Sequence, residues 1–170
     1  MSQAIVEITD YDSGAVMLQQ DDTTTDRFDS IRDEWQDTYI YKLLGAELGG
    51  LFLADLNGSG VPVTTRFLSI YNAFATDDGC DDLQISAGIK LYIKNIIWFH
   101  YARENSTLIT TAGNMNKLSE NSDPSTDGKY LAHVYNNAIK TGKAIQWYIN
   151  QNSSTYPEYK GKYLDYVMGL

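Results

Sequence analysis

Three groups of residues have side chains of the types that chemistry uses. Asp55-Leu56-Asn57-Gly58-Ser59-Gly60 reproduces the opening of a helix-flanked calcium loop, with oxygen-bearing side chains at positions one, three and five and glycine at six. Position twelve of that loop, where a bidentate glutamate completes the coordination, is Arg66, and position eight is Pro62. A cation at the closing position repels calcium, so the segment reads as a glycine-rich loop that ends a helix. Asp77, Asp78, Asp81 and Asp82 gather around Gly79-Cys80. Adjacent acids do not by themselves encode the rigid geometry of an ion site, and they suit a solvated loop that caps the next helix. Cys80 is the one cysteine of the chain and has no His or basic residue beside it to lower its thiol pKa. It is not expected to be a nucleophile, and a single cysteine excludes an internal disulfide or a multi-cysteine metal site.

The two histidines complete the inventory. His100 lies seven residues beyond Ile93 and four beyond Ile96, on an apolar helical stripe, where a hydrogen-bonded core histidine is the expected outcome. His133 sits beside Val134 on a separate predicted helix, and a metal pair between the two is not expected. The chain contains no G-x-S-x-G, no P-loop, no G-x-G-x-x-G and no H-E-x-x-H. We therefore expect no catalytic residue, no metal and no cofactor, and a protein that is not an enzyme.

The elements that would position these residues follow from hydrophobic period. The chain has 170 residues, 43% of them hydrophobic and 21% charged, which fits one soluble domain with a core. The apolar run Leu48 to Ala54 is far short of the roughly 18 residues of a bilayer span, and Met1 to Gly14 has neither a basic n-region nor an apolar h-region. Neither a membrane span nor a secretion signal is expected. The predicted fold is mainly α: a bundle of about four helices with an extended N-terminal arm, a long loop or small hairpin around 105–121, and an aromatic C-terminal tail. In domain terms these are an arm over 1–24, a helical domain over 25–152 and a tail over 153–170.

Phe28, Ile31, Trp35, Tyr39 and Leu43 recur at spacings of three and four and predict the first helix, with a kink or break near 49 because glycines weaken helix. Phe67, Ile70, Tyr71 and Phe74 predict a second, shorter one. Ile85, Ile89, Ile93, Ile96 and Ile97 predict a third, apolar around most of its circumference and hence central. The arm carries one short β-like run, Ala4 to Ile8, and is expected to order only against a partner. Asp123-Pro124 predicts the start of a fourth helix that runs to about 151, with Gly142 on its apolar stripe permitting a close crossing.

Charge is unevenly distributed. Residues 1–82 hold sixteen acids against four bases, and residues 83–170 hold six against nine, within a net charge of -9. That balance argues against nucleic-acid binding through phosphate neutralisation, which requires clustered Lys and Arg. Opposite potentials on two halves favour head-to-tail contact between copies, the equal alternative being solvated faces kept acidic for solubility.

The C-terminal end is rich in tyrosine. Tyr156, Pro157, Tyr159, Tyr163 and Tyr166 make a tail that either packs back or docks on a neighbour, and we expect these residues to form an oligomer or partner interface. From Thr111 onward, Gly113, Lys117, Glu120-Asn121-Ser122 and Pro124 precede a helix with Tyr130, Tyr135 and Tyr148, which ends before Tyr156-Pro157-Glu158-Tyr159. In this order of landmarks the chain resembles a family of head-to-tail connector, or ring, proteins of tailed bacteriophages, the crAss-like phages of Bacteroides-type hosts among them. The resemblance is closest over about 60 residues and looser through Trp35, Leu44-Gly45 and Trp98 to Tyr101.

The resemblance implies a non-catalytic helical subunit in a homo-oligomeric ring, commonly of twelve copies, contacting the portal and other tail proteins around duplex DNA. It also implies a place in the virion at the head–tail junction after synthesis in the host cytoplasm. The alternative expectation is a non-enzymatic helical adaptor or regulatory protein that binds one partner through its Tyr-rich end.

Overall fold

A computed structural model of the chain describes residues 3–12, 18, 22–77, 83–110, 113–116, 127–162 and 164–166. Its elements are α1 (Asp22–Leu44), α2 (Ala46–Ala54), α3 (Thr65–Tyr71), β1 (Phe74–Asp77), β2 (Leu83–Ser86), α4 (Gly88–Ser106), β3 (Thr107–Thr110), β4 (Gly113–Asn116) and α5 (Asp127–Gln151). The fold is mainly α, as the periodicity predicts. Helix α4 is central. It packs most extensively on α5 and then on α1, and it buries Ile89, Tyr92, Ile93, Ile96 and Ile97, while Leu91 stays exposed. Helices α1 and α5 touch at fewer points, among them Leu43 against Gly142 and Gln146, and Tyr39 with Tyr135. The side chain missing from Gly142 leaves room for Leu43, Tyr92 and Leu164, the close crossing anticipated there.

The break after the first helix falls at Gly45 rather than near 49. Gly45 has φ of 83°, and a Cβ there would stand 2.6 Å from the carbonyl carbon and oxygen of Lys160. The chain turns where the C-terminal segment crosses it, a cause more than a hundred residues away from the helix that is interrupted. Gly49 and Gly50 are carried inside α2.

Two residues assigned to helices by period belong to strands. Phe74 opens β1 and Ile85 lies in β2, which pair antiparallel with Phe74 opposite Ser86 and Ala75 opposite Ile85. Each of these runs is four residues long, too short for period to separate helix from strand, and cross-strand pairing decides the matter. Ser86 then starts α4, its Oγ accepting the Gly88 amide (3.2 Å) and donating to the Thr141 carbonyl of α5 (3.3 Å). The region around 105–121 contains a hairpin, β3 on β4, with Thr107 opposite Asn116; α4 runs straight into it. The expected helix entry at Asp123-Pro124 and the end of that region, 117–121, lie outside the described residues.

The N-terminal segment is a correction. Residues 3–12 need no partner to order, because they complete the core of this chain. Ile5, Val6, Ile8 and Tyr11 are buried, and Ile8–Tyr11 forms a 3-10 turn. The buried Gln36 of α1 holds the segment from below: its Oε1 accepts the Ile5 amide (2.7 Å) and its Nε2 donates to the Gln3 carbonyl (3.0 Å). Tyr11 Oη donates to the Lys94 carbonyl (2.7 Å), Lys94 Nζ donates to the Asp10 carbonyl, and Lys90 pairs with Asp10 at 2.7 Å. Arg32 gathers Glu7, Asp29 and Asp33 at 2.7–3.1 Å.

Candidate interaction surfaces

The aspartate-asparagine loop is occupied by its own backbone. Asp55 Oδ2 accepts the amides of Val63 and Thr64, both at 2.8 Å, and Asn57 Oδ1 accepts those of Ser59 (2.9 Å) and Val61 (3.1 Å). Partial desolvation raises the Asp55 pKa, but the hydrogen bonds from Thr64 and Val63 outweigh it and hold the carboxyl below its ordinary value. Arg66 turns away to the tail, with Nη1 3.3 Å from Glu158, and covers the Phe67 ring. The loop is thus a helix terminator built on side-chain acceptors, as its sequence indicates. Asp77 ends β1, and Asp78, Cys80, Asp81 and Asp82 lie outside the described residues. Among the described residues no group of three or more His, Cys, Asp or Glu is placed to hold a metal, and no helix is long and apolar enough to cross a membrane.

His100 is the core histidine that its position on the stripe predicts. It is 3% exposed, stacked on Trp35 with ring centres 4.0 Å apart, and its Nε2 shares a hydrogen bond with Tyr39 Oη (3.1 Å). His133 is exposed and hydrogen-bonded to Asn137, so the two histidines do not meet. Burial, aided by the charges of Arg103 and Lys42, lowers the His100 pKa to about 4. Between pH 6.5 and 4 the unfolded chain binds a proton that the native chain refuses, so stability is full above pH 6.5 and falls as the solution is acidified. We expect about 2 kcal/mol of acid-sensitive stability from this group. Calorimetric melting at stepped pH checks it. His100→Phe, which keeps the ring on Trp35 but cannot titrate, should flatten the slope in that window, and an unchanged slope would refute the assignment.

The tyrosine-rich tail runs as a strap across the subunit. Tyr156 is 2% exposed, beside Tyr148, with its hydroxyl donating to the Arg66 carbonyl at 2.6 Å. Its ring therefore lies inside this subunit. Tyr159 is half-buried against the same core. Farther on, the Lys162 amide donates to the Lys42 carbonyl (3.1 Å), and Gln146 Nε2 donates to the carbonyls of Leu43 (3.0 Å) and Lys162 (2.8 Å). Leu164 fills the space over Gly142, and Tyr166 receives the ammonium of Lys143 at 3.9 Å from its ring centre. Pro157 and Tyr166 remain exposed; Tyr163 lies outside the described residues.

A groove of about 630 Å³ opens where this strap crosses the α1–α2 junction, between Tyr41, Lys42, Glu47, Lys160 and Lys162. Lys160 stands 3.6 Å from Glu47, so charge adds to the backbone contacts that hold the strap.

The surface that sequence reasoning missed is on β1–β2. In its register Phe74, Thr76, Gln84 and Ser86 share the inner face, with Phe74 against Tyr148 of α5. Ala75, Leu83 and Ile85 share the outer face, where Leu83 is 56% and Ile85 61% exposed. The alternation Leu83-Gln84-Ile85-Ser86, following a turn-forming Asp-Asp-Gly, was the available signal. No family model, curated protein or solved structure matches this chain.

Proposed function

We propose that this chain is a structural subunit of a head-to-tail connector ring in a tailed bacteriophage, acting by assembly and without catalysis. In this reading about a dozen copies close around the DNA channel between the portal and the tail proteins, at the head–tail junction of a virion assembled in the host cytoplasm. The landmarks from Thr111 to Tyr159 support it by resemblance. A net charge of -9 suits a channel wall past which duplex DNA moves without adhering.

The observation that carries the assembly is the outer face of β1–β2. Two large aliphatic side chains and Ala75 lie together in water on a two-stranded ribbon, an arrangement that a solitary subunit gains nothing from and that contact with another copy would cover. Light scattering after gel filtration tests this. The wild-type chain should elute as an oligomer, and Leu83→Lys with Ile85→Lys should shift it to monomer without changing its helical circular dichroism, since neither side chain is in the core. A wild-type protein that stays solitary at high concentration overturns the proposal.

A further inference from the structure

A closed ring of identical subunits needs two different faces on each subunit, one that inserts and one that receives. Helices α1 and α5 both pack on α4 with few contacts to each other, and the uneven charge of the sequence falls on their separate exposed rows. Helix α1 carries six acids and three bases, whereas α5 carries Lys129, Lys140 and Lys143 with a single acid, Asp127. Two of the α1 bases are already engaged within the subunit: Arg32, its side chain 12% exposed, among Glu7, Asp29 and Asp33, and Arg27 on the Glu104 carbonyl. The flank therefore stays negative.

The spacing on the two helices matches. Asp26, Asp33 and Asp37 recur at seven and four, which places them on one face of α1 over about 16.5 Å at 1.5 Å per residue. Lys129 and Lys140 are eleven residues apart on α5, again about 16.5 Å and nearly in line. Asp26, Asp33, Lys129 and Lys140 are exposed, and Asp37 is half-buried. An apolar element follows each row. Exposed Tyr41 comes one turn after Asp37, and the β1–β2 ribbon is tied to α5 at Thr141, one residue after Lys140.

We propose that the lysine flank of α5 in one copy docks on the acidic flank of α1 in the next, Lys129 and Lys140 facing Asp26 and Asp37. The inference rests on the ring assembly above and assigns its two faces. Charge sets the register and the encounter rate of such a contact, while the apolar ribbon beside Lys140 supplies buried area.

Charge reversal separates the outcomes. Lys129→Glu with Lys140→Glu makes both flanks acidic, and Asp26→Lys with Asp37→Lys makes both basic. Each double variant alone should associate at least tenfold more weakly than wild type in low salt, and a one-to-one mixture should recover assembly, because each new flank then meets its opposite. The lysine variant changes only exposed side chains and carries the test by itself if the aspartate variant folds poorly. Wild-type-like oligomers from the lysine variant, or loss of assembly that mixing does not restore, overturn this pairing and leave the ring standing. A wild-type chain that is monomeric at every concentration removes the ring and the pairing together.

Discussion

Tyr156→Ala is expected to cost the subunit about 3–5 kcal/mol, the range for truncating a fully buried aromatic ring. The ring contacts Tyr148, and its hydroxyl reaches the Arg66 carbonyl from ninety residues away in sequence, so truncation opens a cavity and leaves that carbonyl without its donor. For a chain of this length each kcal/mol moves the melting temperature by roughly 2–4 °C, so a fall of roughly 6–20 °C is expected. Tyr156→Phe keeps the ring and should cost only about 1 kcal/mol. Tyr166→Ala, at a half-exposed position, should change the melt little. Thermal melting of dilute protein, below the concentration at which it assembles, is the measurement. A normal melt for Tyr156→Ala, with weakened assembly instead, would return the tail to the interface.

Gly60→Ala should be nearly as damaging, for a different reason. Gly60 has φ of 69°, and a Cβ there would lie 1.7 Å from the Ala4 carbonyl oxygen. No side-chain adjustment relieves a clash with backbone, so either the loop or the N-terminal segment must move. The left-handed backbone adds about 1–3 kcal/mol for any residue with a Cβ, and displacing residues 3–12 exposes Ile5 and Val6 as well. We expect a loss of about 3 kcal/mol or more, accompanied by faster hydrogen exchange at the Ile5 amide that Gln36 now protects. Gly58→Ala is the control, since nothing lies within 4 Å of a Cβ at that position. Equal effects at the two glycines would show that loop propensity, rather than the seat of the N-terminal segment, governs the region.

Much of the candidate chemistry was legible residue by residue. Arg66 at the closing position argued against calcium in the Asp55 loop, and in the structure the loop oxygens accept its own amides while Arg66 pairs with Glu158. His100 was placed in the core by its spacing from Ile93 and Ile96. The candidate interface was not legible in the same way. Tyr156 and Ile85 are both large side chains close to the end of an element, and composition gave no reason to bury the first and expose the second.

By itself the sequence determined what a few turns of chain decide: a mainly α fold, the apolar stripes of α1, α4 and α5, a glycine-rich stop after α2, and the crossing point at Gly142. Helical period repeats within seven residues, so it is readable without knowing what covers the helix. The tertiary structure alone decided where α1 breaks, that 74–77 and 83–86 pair as strands, and that residues 3–12 and the C-terminal strap close the core. Each of these depends on surfaces brought together from distant parts of the chain, and a distant partner leaves no period in the residues that meet it.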